Sequence, residues 1–148
     1  MTQPFHDVYA RMVRVVFYSD LHGTRLILAL AEAMWAVTLL WPGDTFGRPT
    51  YTIMSQVMSE NAWGLVFAVS AITQLGILIR CDYHSTFATV FAGWNSVLWS
   101  FIVIAMYLSV QPPPAAISGE TALALAAGWV WVRSGLKVKG SRANDYGI

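Results

Sequence analysis

Four uninterrupted apolar runs constrain this chain more than anything else in it. A hydrocarbon core of about 30 Å takes roughly 20 residues of helix to cross. Residues 23–41, 61–79, 87–109 and 116–136 fall in that range. Pro42-Gly43 closes the first, Arg80 the second and Pro112-Pro113-Pro114 the third, while the fourth is Ala-rich and the least apolar. The predicted fold class is all-α: a four-helix transmembrane bundle of two tandem helical hairpins, in a single membrane domain over residues 1–148. Composition agrees, because only 11% of residues are charged and 56% are hydrophobic. Soluble domains carry about 25% charged residues, so a free-standing cytosolic enzyme is a poor fit. A net charge of +1 is far from a phosphate-reading surface, and no nucleic-acid partner is expected. The single cysteine, Cys81, excludes an intrachain disulfide and a Cys-cluster metal site.

The loops give the direction of threading. Four spans place both ends on one side, together with Arg11, Arg14, Arg25, Arg80, Arg133, Lys137, Lys139 and Arg142; only Arg48 falls opposite. Cytoplasmic loops collect Lys and Arg, so both termini and the 80–86 turn are expected in the cytoplasm. Trp41, Trp63 and Tyr107 then lie near the outer interface, and Trp129 and Trp131 near the inner one. No cleavable signal peptide is expected, since no early apolar run is followed by a small-residue cleavage site. In residues 4–18, Phe5, Val8, Tyr9, Met12, Val15 and Val16 share one face at helical spacing. This reads as an amphipathic interfacial helix on the inner leaflet, or else as a helix packed against the bundle base. Residues 137–148 read as a basic cytoplasmic tail.

A weak tandem echo runs through the chain. Asp20-Leu21-His22-Gly23-Thr24 opens the first span and Asp82-Tyr83-His84-Ser85-Thr86 the third. Glu60 and Glu120 stand near the starts of the second and fourth. Helix capping and complementing of the helix dipole explain these residues without any function. A sharper alternative has Asp20, His22, Asp82 and His84 converging on the inner face as a metal or proton site. The spacing lacks the i,i+4 pairing of helical metal sites, so no metal is expected.

Glu32 is the one acidic residue deep within a span. A carboxylate there costs several kcal/mol unless it is protonated or well paired. Counting 1.5 Å per residue, Glu32, Gln74 and Asn95 (with Ser96 beside it) fall in one slab, roughly 9–12 Å from the inner interface. Trp129 is the expected contributor from the fourth span. Such a cluster is either interhelical glue, worth about 0.6–2 kcal/mol per contact, or a proton- or cation-accepting site, or the lining of an oligomeric pore. No proline interrupts a span and Gly76 is the only candidate break, which counts against active transport.

Small residues recur at helical spacing: Ala29, Ala33 and Ala36; Gly64, Ala68 and Ala71; Ala88, Ala92, Ser96 and Ser100. Such stripes allow close helix approach in lipid and make a homo-oligomer the expectation. The 42–59 connection carries Tyr51, Ile53, Met54, Val57 and Met58, the pattern of a short surface helix and the natural place for a protein partner. No nucleophile motif, phosphate loop or H-E-x-x-H occurs, so neither an enzyme nor a cofactor is expected.

The stretch Leu28 to Tyr51, LALAEAMWAVTLLWPGDTFGRPTY, resembles a segment of small membrane proteins encoded by tailed bacteriophages of Gram-negative hosts. That resemblance implies insertion in the bacterial (host) inner membrane. The size, the several spans and the short basic tail are similar to holins, which permeabilise that membrane, although most holins are smaller with fewer spans. The leading expectation is a non-enzymatic, oligomeric protein acting on membrane permeability. A membrane-embedded interaction or exclusion protein that binds a host or phage partner through the 42–59 loop comes next, and a small ion or proton carrier centred on Glu32 third.

Overall fold

The computed structural model describes residues 20–80 and 85–145, with backbone alone at residue 20 and from 136 onward. The interfacial helix expected over 4–18, Asp82 and His84 lie outside the described residues. Those described are all-helical, without a strand: α1 (Asp20–Leu40), a 3-10 turn (Pro49–Tyr51), α2 (Thr52–Val57), α3 (Glu60–Arg80), α4 (Thr86–Ser109) and α5 (Ile117–Asp145). Three of these helices, α1, α3 and α4, are long and apolar enough to cross a membrane. A 21-residue helix such as α3 measures about 31 Å, the thickness of a hydrocarbon core.

α5 does not reach that hydropathy, because Glu120 and Arg133, with its Ser, Gly and Trp residues, offset its Leu, Val and Ala. It also does not stop near residue 136. The helix continues to Asp145, so the expected tail is helical for most of its length. No proline follows Leu136, and the one glycine between it and Asp145, Gly140, costs a helix only about 1 kcal/mol.

The ends of the helices have local causes. Ser85 sits in extended backbone and its side chain accepts a hydrogen bond from Ala88 N at 3.0 Å, which caps α4. Ser59 does the same for Ala62 N at 3.4 Å at the head of α3. Glu60 spends its carboxylate elsewhere, accepting from Thr45 N at 3.1 Å and Phe46 N at 3.4 Å. It pins the outer connection instead of capping its own helix. α1 ends where Pro42 can no longer donate, and α4 before the three prolines.

Packing pairs α1 with α3 and α4 with α5, and α1 also meets α5. Small residues set the close approaches. A Cβ built on Gly64 would lie 2.7 Å from Leu40 Cγ, and one on Gly93 would lie 3.0 Å from the Trp131 indole nitrogen. Gly64→Val should therefore push α1 and α3 apart and cost about 1–3 kcal/mol, read as a lower midpoint of unfolding in detergent. Gly76→Ala, with nothing within 4 Å, should be neutral or stabilising.

The aromatic residues fill the half of the core nearest α2. Trp35, Phe67 and Trp99 are mutual neighbours, with ring centroids 5.2–6.3 Å apart, and Trp63 stacks on Phe101 at 5.5 Å. Short α2 closes this end. Met54 is completely buried, Trp63 Nε1 donates to Met54 O at 3.0 Å, and Ile53 N donates to Ser109 Oγ at 3.3 Å. The apolar residues expected to advertise a partner surface thus point mostly inward, with Val57 the exception.

The distribution of polarity is inverted relative to a water-soluble protein. Ile27, Leu30, Met34, Val37, Leu65, Val69, Ile72, Val90, Val97 and Ile104 face outward. Arg25, Glu32, Ser70, Gln74, Asn95 and Ser134 are buried. Water would impose the opposite arrangement, whereas hydrocarbon around the helices favours this one.

Candidate functional site

The buried polar groups form two storeys. The lower one is centred on Arg25, the fifth residue after the start of α1. Its guanidinium donates to Gln74 Oε1 of α3 at 3.3 Å, to Ala88 O of α4 at 3.2 Å and to Ser134 Oγ of α5 at 3.1 Å. One side chain from α1 therefore ties to each of the other three long helices. A planar fork with five donors can reach three directions at once, which an ammonium on a flexible stem does poorly.

Arg25 is fully buried within the bundle and does not stand exposed at the flank of its span.

The upper storey lies two helical turns further out. Glu32 is seven residues beyond Arg25 on α1, and Asn95 seven beyond Ala88 on the parallel α4, each about 10 Å along the axis. Both side chains are buried, at 0% and 1% exposure. At the same level α3 presents Phe67 and α5 presents Ala127, both buried and apolar. Trp99, one turn beyond Asn95, leans back toward the N-terminus of its helix as helical side chains do. Its indole nitrogen is thereby brought near Glu32. Yet Glu32 Oε1 and Oε2, Asn95 Oδ1 and Nδ2, and Trp99 Nε1 are all enclosed without a hydrogen-bond partner.

The single slab inferred from counting residues is thus divided. Gln74 belongs with Arg25 below, while Glu32 and Asn95 share the level above. Ser70, one turn outward from Gln74, accepts from Trp94 Nε1 at 3.4 Å and lies between the two. Ser96 is on the α4–α5 side, 3.6 Å from where a Cβ on Gly128 would stand.

Trp129 does not join the cluster. It is 51% exposed and carries the Arg133 guanidinium 5.3 Å from its ring centroid. Its orientation follows from the helical period, since Ala127, Val130 and Ser134 form the buried stripe of α5 and residue 129 falls off it. Ser134 is the α5 contributor that residue counting missed, and its place four residues beyond Val130 was the available signal.

Of the inner-face set, His22 is partly buried and engaged, and Asp20 opens α1. Among the described residues no group of three or more His, Cys, Asp or Glu is placed to hold a metal ion.

At the outer end a pocket of about 240 Å³ is lined by Trp35, Thr38, Thr45, Tyr51 and Glu120, with Met34 and Leu39. Burial pushes the Tyr51 phenol above its ordinary range; nearby Arg48 pulls it down and Glu120 pushes it further up.

Comparison with protein-family models, with curated proteins and with solved structures finds no match. What the chain does is then a question for the chemistry of its buried groups.

Proposed function

We propose that this chain is an integral membrane protein, a transmembrane bundle of α1, α3, α4 and α5 in two tandem hairpins, that lets protons or small cations cross a membrane through its interior. In this reading it is not an enzyme, both termini face the cytoplasm and the membrane is a bacterial inner membrane. The observation that carries the proposal is Glu32, fully buried with both carboxyl oxygens unpartnered, level with an equally unpartnered Asn95. Glue between helices consists of completed hydrogen bonds, and here they are missing. A carboxyl group with neither oxygen engaged can take up or release a proton without breaking a protein hydrogen bond. Intramembrane carboxylates of this kind mark proton and ion pathways.

An effect on permeability fits the same geometry, by a different route from a pore between copies. A pore lined by Glu32, Gln74 and Asn95 would need these groups on the outside of the chain, and the outer faces are apolar. In this reading the polar groups lie inside one copy, Glu32 and Asn95 on one level and Gln74 and Arg25 on the next. Self-association through the small-residue stripes remains compatible with it and is not required by it.

The test is proton entry into phospholipid vesicles that hold the purified chain and a trapped pH-sensitive dye, driven by an imposed membrane potential. Flux that rises linearly with protein amount supports an intrabundle route. A steep concentration threshold and passage of large dyes would favour assembly of a wide lesion. Vesicles that remain tight while holding folded protein would overturn both and leave the interaction reading.

A further inference from the structure

The pocket at the outer end combines features that neither storey of the core has. Trp35 and Tyr51 meet edge to face at one corner of the pocket, with ring planes at 85° and centroids 6.0 Å apart. Phe46 stacks on Tyr51 at 5.8 Å and holds it in place. The corner is fixed from behind as well, since Glu60 binds Thr45 N and Phe46 N while Trp35 packs on Phe67 and Trp99. Glu120 lines the same space from α5. The Trp35 indole nitrogen lies near this carboxylate, and Glu120 Oε2 has no hydrogen-bond partner. One carboxylate, two perpendicular aromatic rings and a volume of about 240 Å³ therefore converge on a single cavity.

We propose that this pocket binds an alkylated ammonium ion. Aromatic faces attract a cation through their quadrupole, and cages of such rings are the usual receptor for methylated ammonium groups. The carboxylate supplies the opposite charge at short range, and the apolar flank of Met34 and Leu39 receives the methyl groups. A divalent metal ion is a poorer occupant, because it asks for six or more oxygens and the pocket offers one carboxylate. An anion would meet Glu120. This site does not depend on what Glu32 does, and either assignment can fail without the other.

The experiment uses the full chain in neutral phosphatidylcholine nanodiscs, titrated with tetramethylammonium chloride against sodium chloride at constant ionic strength. Intrinsic tryptophan fluorescence, to which Trp35 contributes, and calorimetry report binding. Saturable binding is expected, weakened by about tenfold or more in Glu120→Gln and by roughly three- to tenfold in Tyr51→Leu. Circular dichroism and the unfolding midpoint establish that both variants are folded, and Tyr51→Leu serves alone if Glu120→Gln is not. Three results would overturn the proposal: no saturable response from folded protein, unchanged affinity in folded variants, or sodium competing as well as the organic cation.

Discussion

Glu32→Gln should reduce potential-driven proton influx by at least about tenfold while leaving the amount of folded, membrane-inserted protein unchanged. The substitution keeps the shape of the side chain and one carbonyl oxygen, and removes the titratable proton. Because no protein hydrogen bond to the Glu32 oxygens is lost, the stability change should stay within about 1 kcal/mol. Glu32→Leu goes further and removes the buried polar atoms altogether. It should abolish flux while matching or exceeding the wild-type midpoint of unfolding, as replacement of poorly paired buried polar groups by apolar ones often does. A glue residue would behave in the opposite order: Glu32→Leu would lose stability, and flux through the bundle would not follow the carboxyl group. Flux and unfolding measured on the same two variants therefore separate the roles. Unchanged influx in Glu32→Gln would sink the carrier reading outright.

Asn95 provides a second view of the same level. Asn95→Leu leaves the carboxyl group in place and takes away the amide that faces the core beside it. If water or a cation completes the upper storey, this variant should slow influx without abolishing it, by less than Glu32→Gln. Trp99 is less suited to such a test, since its ring also packs against Trp35 and Phe67.

Much of this architecture was legible in the residues, for identifiable reasons. Length and apolarity located the cores of α1, α3 and α4, because the hydrocarbon thickness dictates both. Prolines and Ser59 and Ser85 fixed several boundaries, since missing or surplus donors at helix ends must be dealt with locally. Burial of Glu32 and Asn95 followed from their depth alone.

The misplacements share one cause: axial depth was used without helical phase. Trp129 lies deep enough but on the wrong side of α5. Gln74 lies on the right side but one storey below Glu32, because the helices are offset along their axes. Arg25 was read as a flanking charge because it lies near a span end, although it stands seven residues before Glu32 and so shares its face. The continuation of α5 beyond residue 136 was hidden for a different reason. Polar residues end a membrane span, but they do not end a helix.

Arg25→Ala should be the most destabilising single change in the described chain. It deletes three hydrogen bonds from a charged donor, each worth roughly 1.5–3 kcal/mol, and strands Gln74 Oε1, Ala88 O and Ser134 Oγ in the core. These losses are coupled, because one group makes all three bonds, so a total of about 3–5 kcal/mol is expected instead of the sum. Arg25→Lys should lie between: the charge is kept, but a single nitrogen cannot address α3, α4 and α5 together. Arg80→Ala is the control, since Arg80 is exposed and its loss removes one surface charge at little cost. Equal effects of Arg25→Ala and Arg80→Ala on the unfolding midpoint would show that Arg25 acts only as a topogenic charge. A large difference between them identifies Arg25 as a polar link between the α1–α3 pair and the α4–α5 pair, added to the packing of Trp35 and Phe67 on Trp99. With that link cut, each pair retains its own small-residue interface. Unfolding of Arg25→Ala should therefore broaden into two steps as the hairpins separate, with proton influx lost at the first.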